Sequence, residues 1–321
     1  MNTATKVGAY VLGLAVVFGG ATGVGKAVGP VGATADTGEH MAHGESDTHG
    51  EGGHGETVAS VPGGLQVSQG GYTLVPAQTT VRAGERTDFR FTVNGPDGRP
   101  VTRFTLLHGK RLHLIIARRD LSGFQHLHPR EIGGGVWTVP VELPKAGAYR
   151  FFTDVQPEGL KQQLTLGTDI AVPGDFAPAP LPAAERVAKV DGYEVKLDGD
   201  LVPGKTSKLT LSVSKGGTPV TDLQPYLEAY GHLVALRSGD MAYLHVHPDG
   251  EPGDGKTAPG PGITFYAEVP SAGAYRLYLD FQHEGKVRTA EFTVNAGKPG
   301  TPVTPAGSPT AEPGDGHAHT H

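Results

Sequence analysis

The chain has 321 residues, a formal charge of −6 at pH 7 and no cysteine. The negative charge and the lack of any basic run argue against nucleic acid as a partner. The lack of cysteine excludes disulfides, thiolate metal sites, cysteine nucleophiles and a lipoprotein-type lipid anchor. The 49 glycines and 26 prolines separate short runs rich in Val, Thr, Phe and Tyr, and this pattern predicts an all-β protein.

The N-terminal segment, residues 1–35, contains an uncharged stretch from residue 7 to residue 25. As a helix this stretch would be about 28 Å long, close to the thickness of one bilayer core. We therefore predict an export signal or a membrane anchor, with an uncleaved anchor as the first interpretation. In the alternative, cleavage after Ala33-Thr34-Ala35 releases a secreted protein. Both interpretations place the rest of the chain outside the cytoplasm, and the first makes the membrane a partner.

Two low-complexity segments, residues 36–64 and 295–321, are predicted to be disordered because they cannot bury a core. Both are rich in histidine among small and polar residues. Their histidines are His40, His43, His49 and His54 in the first segment and His317, His319 and His321 in the second. Such tracts bind metal ions in some proteins, and a solvated, pH-sensitive segment is the other interpretation.

The two central segments, residues 65–172 and 186–294, are internal copies joined by a proline-rich linker, residues 173–185. Matching stretches are Gly71-Tyr72 with Gly192-Tyr193, Pro100-Val101-Thr102 with Pro219-Val220-Thr221, and Gly147-Ala148-Tyr149-Arg150 with Gly273-Ala274-Tyr275-Arg276. Copies of this length, with short strands and frequent turn residues, predict two tandem immunoglobulin-like β-sandwich domains after the N-terminal signal or anchor helix.

One histidine pattern occurs in both copies: a single histidine, a His-x-His pair that begins thirteen positions later, and then proline. The residues are His113, His126 and His128 in the first copy and His232, His245 and His247 in the second. Alternating apolar residues place the single histidine and the pair on adjacent strands of a hairpin. A loop with an even number of residues puts the three imidazoles on one face, with His113 opposite His128 and His232 opposite His247.

The spacing of these strands makes a metal site conceivable in each copy. Directly opposed Cβ atoms lie about 4.5–5.5 Å apart, so three imidazoles on one face can meet a single ion. A third repeated strand carries candidate fourth ligands or orienting residues, namely Asp154 and Gln156 in the first copy and Asp280 and Gln282 in the second. Three neutral imidazoles with a carboxylate suit Cu(II) or Zn(II). Structural, hydrogen-bonded histidines without metal are the alternative interpretation.

Some stretches also carry a family resemblance. The segments His113-Leu-Ile-Ile-Ala-Arg-Arg-Asp-Leu, Phe124-Gln-His-Leu-His-Pro129 and Ala146-Gly-Ala-Tyr-Arg are similar to those of secreted or membrane-anchored actinobacterial proteins with YtkA-like or FixH-like domains. The resemblance covers both copies and implies immunoglobulin-type sandwiches, a location outside the cytoplasm and a connection with copper or another heavy metal.

Three functions are consistent with these features. The first is an extracytoplasmic metal buffer or carrier that is not an enzyme and whose predicted ligands are the six histidines. The second is a cell-envelope interaction module in which the histidines are structural. The third is a cupin-like metalloenzyme, because Gly239, His245, His247 and Glu251 match the first half of a cupin motif, although no second half follows.

Overall fold

The structure, a computed structural model, describes residues 61–297 apart from the side chains of His245 and His247. These residues form antiparallel strands and contain no helix, so the predicted all-β class is confirmed. Among them, accordingly, no helix is long and apolar enough to cross a membrane. The predicted signal or anchor segment, most of the first histidine-rich segment and the C-terminal histidines lie outside the described residues.

The first repeat is built from two antiparallel sheets. Its strands are β1 (Ser68–Gln69), β2 (Tyr72–Pro76), β3 (Arg86–Asn94), β4 (Leu112–Arg118), β5 (Gln125–Leu127), β6 (Arg130–Glu131), β7 (Val136–Glu142), β8 (Gly147–Val155) and β9 (Leu164–Val172). One sheet has the order β1-β2-β3-β7-β6 and the other has the order β5-β4-β8-β9. This arrangement of the two sheets is that of an immunoglobulin-like sandwich.

The second repeat follows the same plan. Its strands are β10 (Val187–Val190), β11 (Tyr193–Asp198), β12 (Thr206–Lys215), β13 (Thr218–Pro219), β14 (Gly231–Arg237), β15 (Tyr243–Pro248), β16 (Gly262–Glu268), β17 (Gly273–His283) and β18 (Lys286–Ala296). The order β10-β11-β12-β16 matches one sheet of the first repeat, and β15-β14-β17-β18 matches the other. In the second repeat these two sheets are continuous, because β15 pairs with β14 on one side and with β16 on the other. The predicted tandem of immunoglobulin-like sandwiches is confirmed.

Each sandwich has its own apolar core. Leu112, Leu114 and Ile116 of β4 point into the core of the first repeat, and Leu233 and Ala235 of β14 point into the core of the second. The side chains on the opposite face of these strands are also buried, and every residue of β4 is buried. Strands that are covered on both faces carry mainly apolar residues on both faces. This is the pattern of β4 and β14, apart from the histidine and arginine that each of them contains.

The second face of β4 packs against the second repeat. Both repeats lie in one compact unit that starts at Ala59, and a third apolar cluster joins them. Its buried members are Ile115, Ala117, Leu121 and Phe152 from the first repeat and Val234, Leu236, Met241, Tyr243 and Tyr278 from the second. Burial of this apolar surface stabilises the contact between the two sandwiches.

The ends of the repeats differ from the predicted boundaries. Residues 61–64 were expected in the disordered segment, but Gly63 forms a β-bridge with Tyr243 and Gly64 donates its amide hydrogen to Thr165 O, at 2.8 Å. At the other end, β18 continues to Ala296, beyond the expected end at residue 294. Backbone pairing with a neighbouring strand orders both segments, and composition alone does not reveal such pairing.

The segment around Gly64 gives a direct test of this packing. Arg150 Nη2 donates to Gly64 O at 2.6 Å, and a Cβ on Gly167 of β9 would overlap that same carbonyl oxygen. We expect Gly167→Ala to lower the free energy of unfolding by about 1–3 kcal/mol through overpacking, measured by urea denaturation. Gly262→Ala is the matched control, because a Cβ there meets its nearest atom, Thr210 Cγ2, at 3.4 Å. Equal losses for the two variants would contradict the assigned contact.

Candidate metal centre

His113 lies on the face of β4 that is turned toward the second repeat. Its side chain is buried, and its Nε2 is 2.8 Å from the carbonyl oxygen of Leu107. Because a carbonyl oxygen only accepts hydrogen bonds, Nε2 carries the proton and donates it. The other ring nitrogen, Nδ1, is therefore left with a lone pair in the neutral imidazole.

His126 of β5 presents a matching nitrogen to His113. Its Nδ1 is 2.8 Å from Oδ2 of Asp280 in the second repeat, so Nδ1 donates to the carboxylate. Its Nε2 is 3.1 Å from Nδ1 of His113. In the neutral forms both of these facing nitrogens carry lone pairs, and no hydrogen is available between them. Such a contact is satisfied only when a cation, either an added proton or a metal ion, lies between the two nitrogens.

His128 completes the first triplet. The register that pairs Leu114 with Leu127 places His128 opposite His113, as predicted. Its ring centroid is 5.0 Å from that of His113 and 4.9 Å from that of His126. Within the part of the chain that the structure describes, the buried Nε2 of His128 has no hydrogen-bond partner. One ligand atom from each of the three histidines lies within 4.8 Å of the other two, and no other group of this kind occurs among the described residues.

Burial favours the neutral form of three histidines in this region, His113, His128 and His232. It lowers the pKa of His113 from 6.5 to about 4 and that of His128 to about 2, with a further contribution from neighbouring histidines. His232, contributed by the second repeat, has its pKa lowered to about 3 for the same reason. Neutral imidazole is the form that binds metal ions, so these side chains are ready to act as ligands at pH 7.

The two predicted carboxylates lie beside the histidines. Asp154 of β8 pairs with His113, and Asp280 of β17 pairs with His232. Each carboxylate accepts a hydrogen bond of 2.6 Å from a threonine on the next strand and also reaches the other repeat. Asp280 contacts His126 at 2.8 Å, and Asp154 accepts a hydrogen bond from the Tyr243 hydroxyl at 2.5 Å.

The two predicted glutamines are placed differently. Gln156 donates from its Nε2 to the carbonyl oxygen of Leu160 at 3.0 Å, so its amide is engaged in the loop after β8. Gln282 lies on β17 two positions from Asp280 and therefore shares its strand face. The role of either as a fourth ligand stays a prediction.

The second triplet is described only in part. His232 Nε2 lies 2.9 Å from the carbonyl oxygen of Tyr226 and 3.1 Å from that of Leu227. Its ring centroid is 6.1 Å from that of His126, so it lies beside the first triplet rather than in a separate site. Leu233 pairs with Val246, which places the backbone of His247 opposite His232 as predicted. The metal-ligand role of His245 and His247 remains a prediction.

A histidine without a counterpart in the second copy also belongs to this region. His108 lines a cavity of about 20 Å³ together with His113, His126, His232 and Asp154. A volume of this size holds one water molecule or one ion. His108 is not among the ligands predicted from the repeated histidine pattern, because Leu227 occupies the matching position in the second copy. The two positions do share a backbone conformation, because His108 and Leu227 both have positive φ, 47° and 53°.

Two other residues with side chains that can bind metal ions, His283 and Glu251, lie outside the cluster. His283 is held between the hydroxyl of Tyr193, 2.7 Å from Nδ1, and the carboxylate of Asp222, 3.0 Å from Nε2. Glu251, the last residue of the cupin-type pattern, is exposed in the loop before β16. The catalytic interpretation based on that pattern stays untested.

A family model matches both sandwiches. It covers residues 66–171 and again residues 188–298, and it describes a domain of unknown function, DUF8832. The chain belongs to the DUF8832 family. The two DUF8832 matches coincide with the two repeats, whereas the likeness to YtkA-like or FixH-like domains holds at the coarser level of the immunoglobulin-type sandwich. No curated protein matches the sequence.

Solved structures similar to this DUF8832 protein are distant. The Escherichia coli adhesin FdeC has 16% identity over 72% of this chain and 65% of its own, with a TM-score of 0.23. InvD of Yersinia pseudotuberculosis has 13% identity over 71% of this chain and 58% of its own, with a TM-score of 0.24. The chain thus spans less than two thirds of either protein. Likenesses of this size carry no argument about function.

Proposed function

We propose that this DUF8832 protein is a metal buffer or carrier that binds Cu(II) or Zn(II) where its two repeats meet. The observation that carries the proposal is the convergence of three imidazole nitrogens in a largely buried cluster. Two of them, on His113 and His126, face each other at 3.1 Å, and the third, on His128, has no partner among the described residues. One added proton satisfies at most one pair of nitrogens, whereas a metal ion accepts all three.

The spacing of His113 and His126 suits a metal ion. Two nitrogens bound about 2.0–2.1 Å from one ion stand about 2.9 Å apart in square-planar geometry and about 3.3 Å apart in tetrahedral geometry. The observed separation of 3.1 Å lies between these values. The widest pair in the cluster is within 4.8 Å, so an ion bound to all three would draw that pair together by at most about 1.5 Å in tetrahedral and about 1.9 Å in square-planar geometry.

The hydrogen bonds around the cluster support the same proposal. Ligand histidines in metalloproteins usually donate their second ring nitrogen to a carboxylate or a backbone carbonyl, which fixes the ring and raises its basicity. His126 does so with Asp280 and His113 with Leu107 O. Imidazole ligands without thiolate suit both Cu(II) and Zn(II), and Cu(II) has the greater intrinsic affinity.

The proposed location is outside the cytoplasm, with the N-terminal segment as the membrane anchor or as a cleaved signal. The uncharged stretch of residues 7–25 and the family resemblance support this location. The histidine-rich end segments would then capture ions weakly and deliver them to the buried cluster.

A second candidate function is a cell-envelope interaction module in which the histidines are structural. One observation favours it: His113, His126 and His232 each make a hydrogen bond without any metal, and the bond of His126 joins the two repeats. In this case the cluster helps to hold the sandwiches in a fixed relative position, and partner binding takes place elsewhere.

Metal titration separates the two functions. We expect the metal-free protein to bind Cu(II) or Zn(II) tightly and to gain thermal stability, because a ligand at a hundred times its Kd stabilises the folded state by about 2.7 kcal/mol. The measurements are elemental analysis and thermal unfolding with and without metal. They are made in a full-length background in which the seven histidines outside residues 61–297 are replaced by alanine. An unchanged melting temperature and no retained metal would favour the interaction module.

A further inference from the structure

We infer that the ion at this cluster is held by both repeats together: the first supplies the imidazole ligands, and the second supplies Asp280, a positioning residue for His126. Metal loading is therefore coupled to the docking of the two sandwiches. The inference rests on the proposed metal-binding function and goes beyond the expectation of one site per domain.

The contact between His126 and Asp280 crosses the repeat interface. The two residues are 154 positions apart in the chain, and their atoms Nδ1 and Oδ2 are 2.8 Å apart. Both side chains are almost completely buried, with 6% and 4% exposure. A hydrogen bond to a carboxylate in such surroundings is strong. It sets the orientation of the His126 ring, and Nε2 is thereby aimed at His113.

Asp280 is itself held in place by its own repeat. The Thr289 hydroxyl on β18 donates to its Oδ1 at 2.6 Å, which leaves Oδ2 for His126. The carboxylate therefore moves with the second sandwich, whereas His113, His126 and His128 move with the first. Separation of the sandwiches would remove the anion from His126 and release its ring.

Two neighbouring contacts connect the turn before β5 with β17. The ring of Phe124, just before β5, stacks on Tyr278 of β17 with 4.0 Å between centroids and 7° between planes. The Tyr278 hydroxyl donates to the carbonyl oxygen of Leu121 at 2.6 Å. Docking thus fixes β5 relative to β17. If docking strengthens the binding of the ion, thermodynamic linkage requires that ion binding stabilise docking by the same free energy.

The test compares two variants that each weaken one polar contact across the interface. Asp280→Asn removes the carboxylate charge next to His126, and Tyr278→Phe removes the bond to Leu121 without touching a histidine. In full-length protein lacking the seven histidines outside residues 61–297, we expect Asp280→Asn to weaken Zn(II) and Cu(II) binding 10- to 100-fold, the range found for lost outer partners of ligand histidines. Tyr278→Phe should change affinity less than threefold. The affinities are measured by competition with a chelator.

Two further readouts distinguish orientation from simple loss of stability. Asp280→Asn should shift the visible absorption spectrum of bound Co(II) or the electron paramagnetic resonance spectrum of bound Cu(II), whereas Tyr278→Phe should leave both unchanged. In wild type, metal should slow amide hydrogen exchange in β17 as well as in β5. If Asp280→Asn fails to fold, Thr289→Val replaces it, with a smaller expected loss.

Failure of the proposed function and failure of the coupling give different results. A wild-type protein that binds no metal overturns the proposed function. A wild-type protein that binds metal, with wild-type affinity retained in Asp280→Asn and with slowed exchange confined to the first repeat, overturns the coupling alone.

Discussion

Replacement of His126 and His128 by alanine is expected to weaken Cu(II) or Zn(II) binding by more than a hundredfold. The variant loses two of three imidazole ligands, and the loss of an outer partner alone costs 10- to 100-fold in metal affinity. The one remaining ligand of the triplet, His113, keeps its hydrogen bond to Leu107 O and offers a single nitrogen. The measurement is competition titration against a chelator, with the end-segment histidines replaced by alanine in both proteins.

The matched control is His283→Ala. His283 is also a buried histidine on a strand, but its ring nitrogens are engaged by Tyr193 and Asp222. Its replacement should lower stability and leave the number of tightly bound ions unchanged. If His126→Ala/His128→Ala retains wild-type affinity, the cluster is not the metal site.

Acidification from pH 7.5 to pH 5 is expected to destabilise the metal-free protein strongly. His113, His128 and His232 have folded-state pKa values of about 4, 2 and 3, well below 6.5. Below pH 6.5 the unfolded chain takes up protons that the folded chain does not, so stability falls until the folded-state pKa is reached. At pH 5 this difference amounts to about 2 kcal/mol for each histidine. Urea denaturation at pH 7.5, 6 and 5 measures it.

Between pH 7.5 and pH 5 the change in stability should come mainly from the histidines, because carboxyl groups titrate at lower pH. The pKa of Asp120 is lowered from 3.8 through its hydrogen bonds with Arg118 and Ser122, in spite of its burial. Its contribution to stability is therefore lost only at still lower pH. His232→Gln should make the decline between pH 7.5 and 5 shallower, because one of the three neutral histidines is gone. A stability that is constant across this window would contradict the buried, neutral state of the cluster.

The sequence was sufficient to predict the fold, because strands and turns are specified by short sequence patterns. Alternating apolar residues, turn residues and the internal repeat specify strands such as β4 and β14 and the hairpin register that places His113 opposite His128. The positions of Asp154 and Asp280 on the strands next to His113 and His232 were predictable too, because side-chain direction alternates along a strand.

The relation between the two repeats was not predictable from the same patterns. One site in each repeat was expected, but His126 contacts Asp280 of the other repeat and His108 joins the shared cavity. Contacts between domains depend on three-dimensional docking rather than on strand periodicity. One signal was present: Ile115 and Ala117, on the histidine face of β4, are apolar, and an exposed face would not favour them.

The contacts between the repeats are reciprocal, as in an isologous dimer. Phe124 stacks on Tyr278, and the residues at the matching positions, Tyr243 and Phe152, also lie ring to ring. In a symmetric homodimer every substitution at such an interface occurs twice. In a single chain that carries both halves this constraint is absent, and the two halves can differ. Tyr243, in the place of Phe124, carries a hydroxyl that donates to Asp154, so the two sides of this repeat interface are chemically different.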